Sequence, residues 1–278
     1  MFKNKTKLRN VAVIAACLAV ITMISSCNKE EEKEVDIKLL DTETSGPFSM
    51  RKFIYDDRNR MKEIQTFSGK QLLYKTILTY TGEELTKYED IYCDEDGKEL
   101  EGVDIRYFIK KGNTITWSTG VVLVDEEKEK IEQKTSFQST FTLKNDGFPE
   151  KLEQEIFGCY SNVYFTFVNG NLTRTSYVNN LSGDDHLATG EGYCTYGAQR
   201  SALSGCNTPK WFLFFYFYEN ASHNVLIKAE SKSIDAKGIK MEGSATFEYV
   251  FDHDGFPTKC TETLNNEYES ITEYTYKN

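Results

Sequence analysis

Three histidines occur in the 278-residue chain, and their surroundings are the first place to look for chemistry. His186 follows Asp184 and Asp185 in SGDDHLATG; His253 lies between Asp252 and Asp254; the third is His223. A metal centre would need such imidazoles to converge with carboxylates in space. Read locally, both acidic flanks are polar turns. Asp94, Asp96 and Gly97 resemble a fragment of a calcium loop, but the remaining ligand positions and the distal Glu are missing. The sequence contains no G-x-S-x-G, no P-loop and no H-E-x-x-H. With 43 Asp and Glu in the chain, a glycosidase-type carboxylate pair cannot be singled out. The expectation is a chain with no catalytic residue, no metal and no cofactor. An envelope hydrolase is the third-ranked alternative. It would require His186 or His253 to meet carboxylates in one cleft.

Cysteine spacing adds little redox or zinc chemistry, because no C-x-x-C occurs. Beyond Cys27 there are Cys93, Cys159, Cys194, Cys206 and Cys260, an odd number, so at least one is unpaired within the chain. Cys194 and Cys206 flank a Gly-rich stretch and are the candidate disulfide; the alternative is that they are small buried residues.

The elements that would position any site are strands. Apolar and polar residues alternate in Tyr74-Thr76-Leu78-Tyr80, in Val163-Phe165-Phe167 and in Ala245-Phe247-Tyr249-Phe251. Period-2 spacing with a polar second face implies antiparallel sheet, one face buried and one wet. Turn signals separate these runs at Asp56-Asp57-Arg58-Asn59, Gly82, Gly97, Gly112, Gly147, Gly170 and Gly255. Glycine and asparagine tolerate the positive φ that tight hairpins require. TFTLKNDGFPEKL (140–152) and TFEYVFDHDGFPTKC (246–260) write the same hairpin twice, with Pro149 and Pro257 suited to opening a strand. One segment breaks the alternation: Trp211 to Tyr218 is apolar throughout. It reads as a central strand covered on both faces, or as a strand lining a greasy groove. The long Gly-rich stretch from Gly190 to Lys210 reads as a functional loop, or one holding a short helix over one end of the sheet.

The N-terminus carries an address. Lys3, Lys5, Lys7 and Arg9 precede an apolar run from Val11 to Ile24, too short to span a membrane. Ile24-Ser25-Ser26-Cys27 resembles the lipobox of bacterial lipoproteins, which implies removal of residues 1–26 and lipidation (palmitate among the acyl groups) of Cys27. The acidic stretch NKEEEKEVD resembles the surface-export signal of Bacteroidetes lipoproteins, and otherwise reads as a solvated tether. Removing residues 1–26 leaves 29 of the 33 basic residues against all 43 acidic ones, a formal charge of −14. So acidic a chain, without a basic stripe, is not a nucleic-acid binder.

Aromatic-x-Tyr/Phe-x-(Asp/Asn)-Gly hairpins behind a lipobox resemble an uncharacterised family of Bacteroidetes lipoproteins, a domain of unknown function with a porin-like, partly open barrel. More loosely they are similar to YD-type repeats of the Rhs family. The resemblance implies an all-β, lipid-anchored, outer-membrane protein and supplies no catalytic residue. The expected organisation is a signal peptide (1–26), a lipidated Cys27 with acidic tether (27–47), and one antiparallel meander (48–278) forming a curved sheet or half-open barrel. The expected function is non-enzymatic binding of a glycan or protein partner through Trp117, Trp211, Phe212, Phe214 and Tyr216, with a membrane contact through the anchor alone. The alternative is a carrier of lipid or other apolar cargo, with Trp211 to Tyr218 lining its cavity.

Overall fold

The computed structural model describes residues 37–124, 130–156, 159–180 and 187–277. The expected signal peptide, Cys27, the acidic stretch and His186 lie outside the described residues. Sixteen strands follow one another: β1 (Leu39–Ser45), β2 (Ser49–Tyr55), β3 (Met61–Ser68), β4 (Gln71–Thr81), β5 (Glu84–Cys93), β6 (Glu99–Lys111), β7 (Thr114–Val124) and β8 (Lys130–Leu143). They continue with β9 (Pro149–Ile156), β10 (Cys159–Val168), β11 (Asn171–Asn180), β12 (Leu187–Arg200), β13 (Asn224–Ile234), β14 (Lys240–Phe251), β15 (Pro257–Leu264) and β16 (Tyr268–Lys277). Each pairs antiparallel with its sequence neighbours, and β1 pairs with β16, closing the barrel.

All seven turns expected from the sequence join consecutive strands. The two DGFP hairpins show why. Asp252 Oδ1 accepts from the backbone N–H of Asp254 and of Phe256, at 3.0 and 2.9 Å. Asp56, Asp94 and Asp235 make the same pair of bonds two and four residues ahead. The reversal is completed by a residue at positive φ, +84° at Gly147 and +81° at Gly255, where a side chain is disfavoured. Pro149 and Pro257 then open β9 and β15, as expected.

Three expectations are corrected. First, β1 lies inside the segment expected to be tether, so the barrel begins before residue 48. Its polar sequence, LLDTETS, hid a strand whose job is closure. Second, the sheet is closed rather than curved or half-open. Thr42 meets Thr275 at 2.7 Å and Ser45 meets Thr272 at 3.0 Å across the seam, with Lys277 Nζ 2.9 Å from Asp41. Closure removes the two unpaired edges that an open meander would expose. Third, the apolar run is not a strand. Lys210–Phe217 forms a helix, α1, inside the barrel, followed by a 3-10 turn at Tyr218–Ala221. A helix apolar on every side needs cover on every side, and the barrel wall supplies it. The stretch from Gly190 to Arg200, expected to be loop, belongs to β12; only Ser201–Pro209 connects β12 to the helix.

The connector and helix plug one end. Asn207 N–H donates to the Asn59 carbonyl at 2.9 Å, and Met61 N–H donates to Thr208 Oγ1 at 2.8 Å. Gly205 sits so close to Lys38 O that a Cβ there would meet it at 2.3 Å. The hairpins at Asn59, Gly82, Gly147, Gly170 and Gly255, together with the start of β1 and the end of β16, all lie at this plugged end. The outer wall is laced with ion pairs such as Lys75–Glu99, Lys87–Glu89 and Arg174–Glu191. A lipid-facing wall would lose about 2–4 kcal/mol for each Lys or Arg near the bilayer midplane, so this one suits water.

Candidate functional site in the lumen

Inward-facing side chains change character along each strand. At the plugged end they are aromatic and dry. Phe212 is fully buried among Tyr88, Phe108 and Trp211, and Phe214 packs on Phe165 at 4.8 Å and on Phe167 at 5.5 Å. Further along, the inward positions become polar and open. On β5 the order is Tyr88, Asp90, Tyr92, and exposure rises from 4% at Tyr88 to 42% at Tyr92. On β10, buried Phe165 gives way to half-buried Val163 and Ser161. On β16, half-buried Tyr276 and Tyr274 give way to exposed Ser270 and Tyr268. The barrel is a cup with a hydrophobic floor and an open, polar upper lumen. On the β11–β15 side of the lumen, away from β5 and β6, is a cavity of about 360 Å³ with a largely apolar lining, where Thr175, Ser231, Ala245, Phe247, Glu262 and Tyr218 meet. Ligand pockets fall in this size range.

The most chemically marked wall is formed by β4, β5 and β6. Asp90 and Asp104 are paired directly across β5 and β6. Asp90 Oδ1 accepts from Thr76 Oγ1 at 2.5 Å, and its Oδ2 accepts from the Tyr88 hydroxyl at 2.8 Å. Asp104 Oδ2 accepts from the Tyr92 hydroxyl at 3.0 Å. Burial pushes the Asp90 carboxyl up to about 6; the Thr76 hydrogen bond opposes the rise and the facing Asp104 charge adds to it. Tyr74 and Tyr92 stand side by side with ring centroids 5.9 Å apart. Tyr216, from the helix, brings its hydroxyl within 3.3 Å of Thr76 Oγ1. Arg106 lies over the Tyr88 ring at 4.7 Å and over Phe215 at 5.8 Å. Burial lowers its pKa, though a guanidinium remains charged.

The residues expected to bind are placed elsewhere. Trp117, Trp211, Phe212 and Phe214 are core, packed against one another and against Phe108, Phe141 and Phe165, so they form no binding surface. Tyr216 alone of that group touches the polar wall, through its hydroxyl. Of the Trp211–Tyr218 run expected to line a cavity for apolar cargo, most side chains fill the core, and Tyr218 lines the lumen cavity. The expected disulfide is not made. Cys206 is a thiol in the plug, 3.1 Å from Thr208 Oγ1, and Cys194 faces the lumen from β12 opposite Ala229. His253 is exposed in a base turn, 3.1 Å from Asp254, while Lys38 holds Asp252 and Asp254 at 2.8 and 2.5 Å. It therefore enters no cleft with free carboxylates.

Asp90, Asp104 and Arg106 went unrecognised in the sequence because charge every second residue is also the signature of an outer face. The usable signal was a conflict within one strand. Arg106 shares a face with Phe108, which is core, and Asp90 shares one with Tyr88.

No family model matches the chain, and no curated protein matches it. Solved structures do. A porin-like protein from Bacteroides uniformis ATCC 8492, known at 2.32 Å, aligns over 85% of this chain and 96% of its own, at 13% identity and a TM-score of 0.38. A porin-like protein from Bacteroides vulgatus ATCC 8482, known at 2.80 Å, aligns over 86% of this chain and 99% of its own, at 11% identity and a TM-score of 0.42. Both are likenesses of fold. The lipoprotein-family and Rhs-type resemblances have no counterpart among these matches.

Proposed function

We propose that this protein is a lipid-anchored cup of the outer membrane, non-enzymatic, that binds a glycan in its upper lumen. The observation that carries the reading is the change along the inner wall from dry aromatic floor to open tyrosines and carboxylates. A core that only had to be stable would have been filled to the mouth. Tyrosine faces and carboxylate acceptors are the groups that receive sugar C–H faces and hydroxyls, and the polar lining fits a hydrated ligand better than an apolar one.

A triacylated cysteine supplies the more than one chain that lasting anchorage needs. The acidic surface disfavours nucleic acid as a partner.

The test is a glycan array followed by calorimetric titration of the full-length protein. Tyr92→Ala should weaken binding at least tenfold, and Tyr164→Ala, on the outer wall, should leave it unchanged. Absence of any glycan ligand, or equal loss in both variants, would reject the reading.

A further inference from the structure

The ligand class can be narrowed from Arg106. Arg51, Arg58, Arg60 and Arg174 each hold a carboxylate, on Glu43, Glu83, Asp56 and Glu191, and Arg200, which holds none among the described residues, is exposed at the end of β12. Arg106 holds none among the described residues, although Asp104 is two positions away on the same face and the chain has 43 acids. The nearest carboxylates are already engaged by hydroxyls: Asp90 by Thr76 and Tyr88, Asp104 by Tyr92. Meanwhile the guanidinium lies over the Tyr88 and Phe215 rings, which form the floor of the lumen. Cation–π contact uses none of its five N–H donors, which leaves them for something else. A half-buried cation with no anion partner is costly, and a ligand anion relieves that cost.

Resting on the glycan reading above, we infer that the cup recognises a carboxylated sugar, its carboxylate set bidentate on the Arg106 edge. The other groups fit the same ring. Asp90 and Asp104 accept from hydroxyls beside the carboxylate, and Tyr74 and Tyr92 cover a C–H face. A neutral sugar would use the tyrosines and aspartates but leave the guanidinium bare. A phosphate ester would bring up to twice the negative charge of a carboxylate beside Asp90 and Asp104. The match is to one negative group surrounded by hydrogen-bond donors, which is the chemistry of a uronic acid residue.

The probe is a uronic acid oligosaccharide titrated into the full-length protein beside its methyl ester, which keeps ring and hydroxyls but removes the charge. The acid should bind at least tenfold more tightly than the ester, a difference of about 1.4 kcal/mol. Arg106→Gln should abolish that preference while leaving ester affinity within twofold. Arg106→Lys keeps charge but not the fork, and should retain only part of the preference. Circular dichroism and unfolding midpoints verify that each variant folds. Should Arg106→Gln not fold, acid-over-ester selectivity in Arg106→Lys and its weakening by added salt decide the matter. Equal affinity for acid and ester overturns the inference while the glycan reading stands. Binding of short peptides through their C-terminal carboxylate, with no uronate binding, overturns it too. Failure to bind any sugar removes both readings together.

Discussion

Asp90 sits in surroundings that disfavour its charged form. Its carboxyl titrates near 6 when folded and near 3.8 when unfolded. Between those values the unfolded chain binds fewer protons than the folded one, so stability falls as pH rises through that window, and the loss persists above it. Asp90→Asn should therefore unfold at a higher temperature than wild type at pH 7.5. The gap should close as pH drops towards 4. A two-unit shift corresponds to about 3 kcal/mol, but the group is part-exposed and screened, so the gain should be about 1–2 kcal/mol. Thermal melts across pH 4 to 8 check the sign. An unchanged or lowered melting point at pH 7.5 would mean that the Thr76 and Tyr88 bonds outweigh burial. A destabilising acid retained at this position is what a binding wall would keep and a structural wall would shed.

At the scale of elements, the helix and the strands answer different demands. Strands β1 to β16 need only one apolar face each, because the barrel has an outside. The eight residues of α1 have no outside, so their apolar character is continuous. Rings from the helix meet wall rings edge-on again and again: Trp211 with Phe108, Phe215 with Trp117, and Phe214 with Phe165. Truncating the fully buried Phe212 removes its ring contacts with Tyr88, Phe108 and Trp211. Phe212→Ala should cost about 3–5 kcal/mol. It should also loosen the floor under Arg106, so near-ultraviolet circular dichroism should fall even where far-ultraviolet strand signal persists. A loss under 1 kcal/mol by chemical denaturation would show that the plug is not part of the cooperative core.

For the whole molecule, closure is the decisive contact. β1 and β16 meet through a polar seam, with Thr42–Thr275, Ser45–Thr272 and Lys277–Asp41 contacts across it. Their worth lies in the backbone ladder and in hiding two edges. Deleting residues 268–278 would leave β15 and β1 unpaired, and exposed flat edges recruit other chains. The truncated protein should elute as large oligomers where the intact chain elutes as a discrete species. A monodisperse truncated form would show that the remaining fifteen strands can close by themselves.

Seven of the hairpin reversals and the inward face of β4, β10 and β14 were legible in the sequence. Both depend on local physics: positive φ at Gly or Asn, and a side-chain period of two. The opening prolines were legible for the same reason. The helix was not, because eight apolar residues carry no period that separates helix from buried strand. The first strand was not, because its residues are polar and one of its two partners, β16, comes from the far end of the chain. The candidate site was least legible. Alternating charge says that one face is wet, not whether the water is outside the barrel or within it. Local sequence by itself determined that this chain would form polar-and-aromatic hairpins. Tertiary structure alone decided that they close into a ring, that the ring swallows a helix at one end, and that Asp90, Asp104 and Arg106 stand side by side on one wall of the space left over. Closure is a long-range pairing, and inside and outside exist only once it has happened.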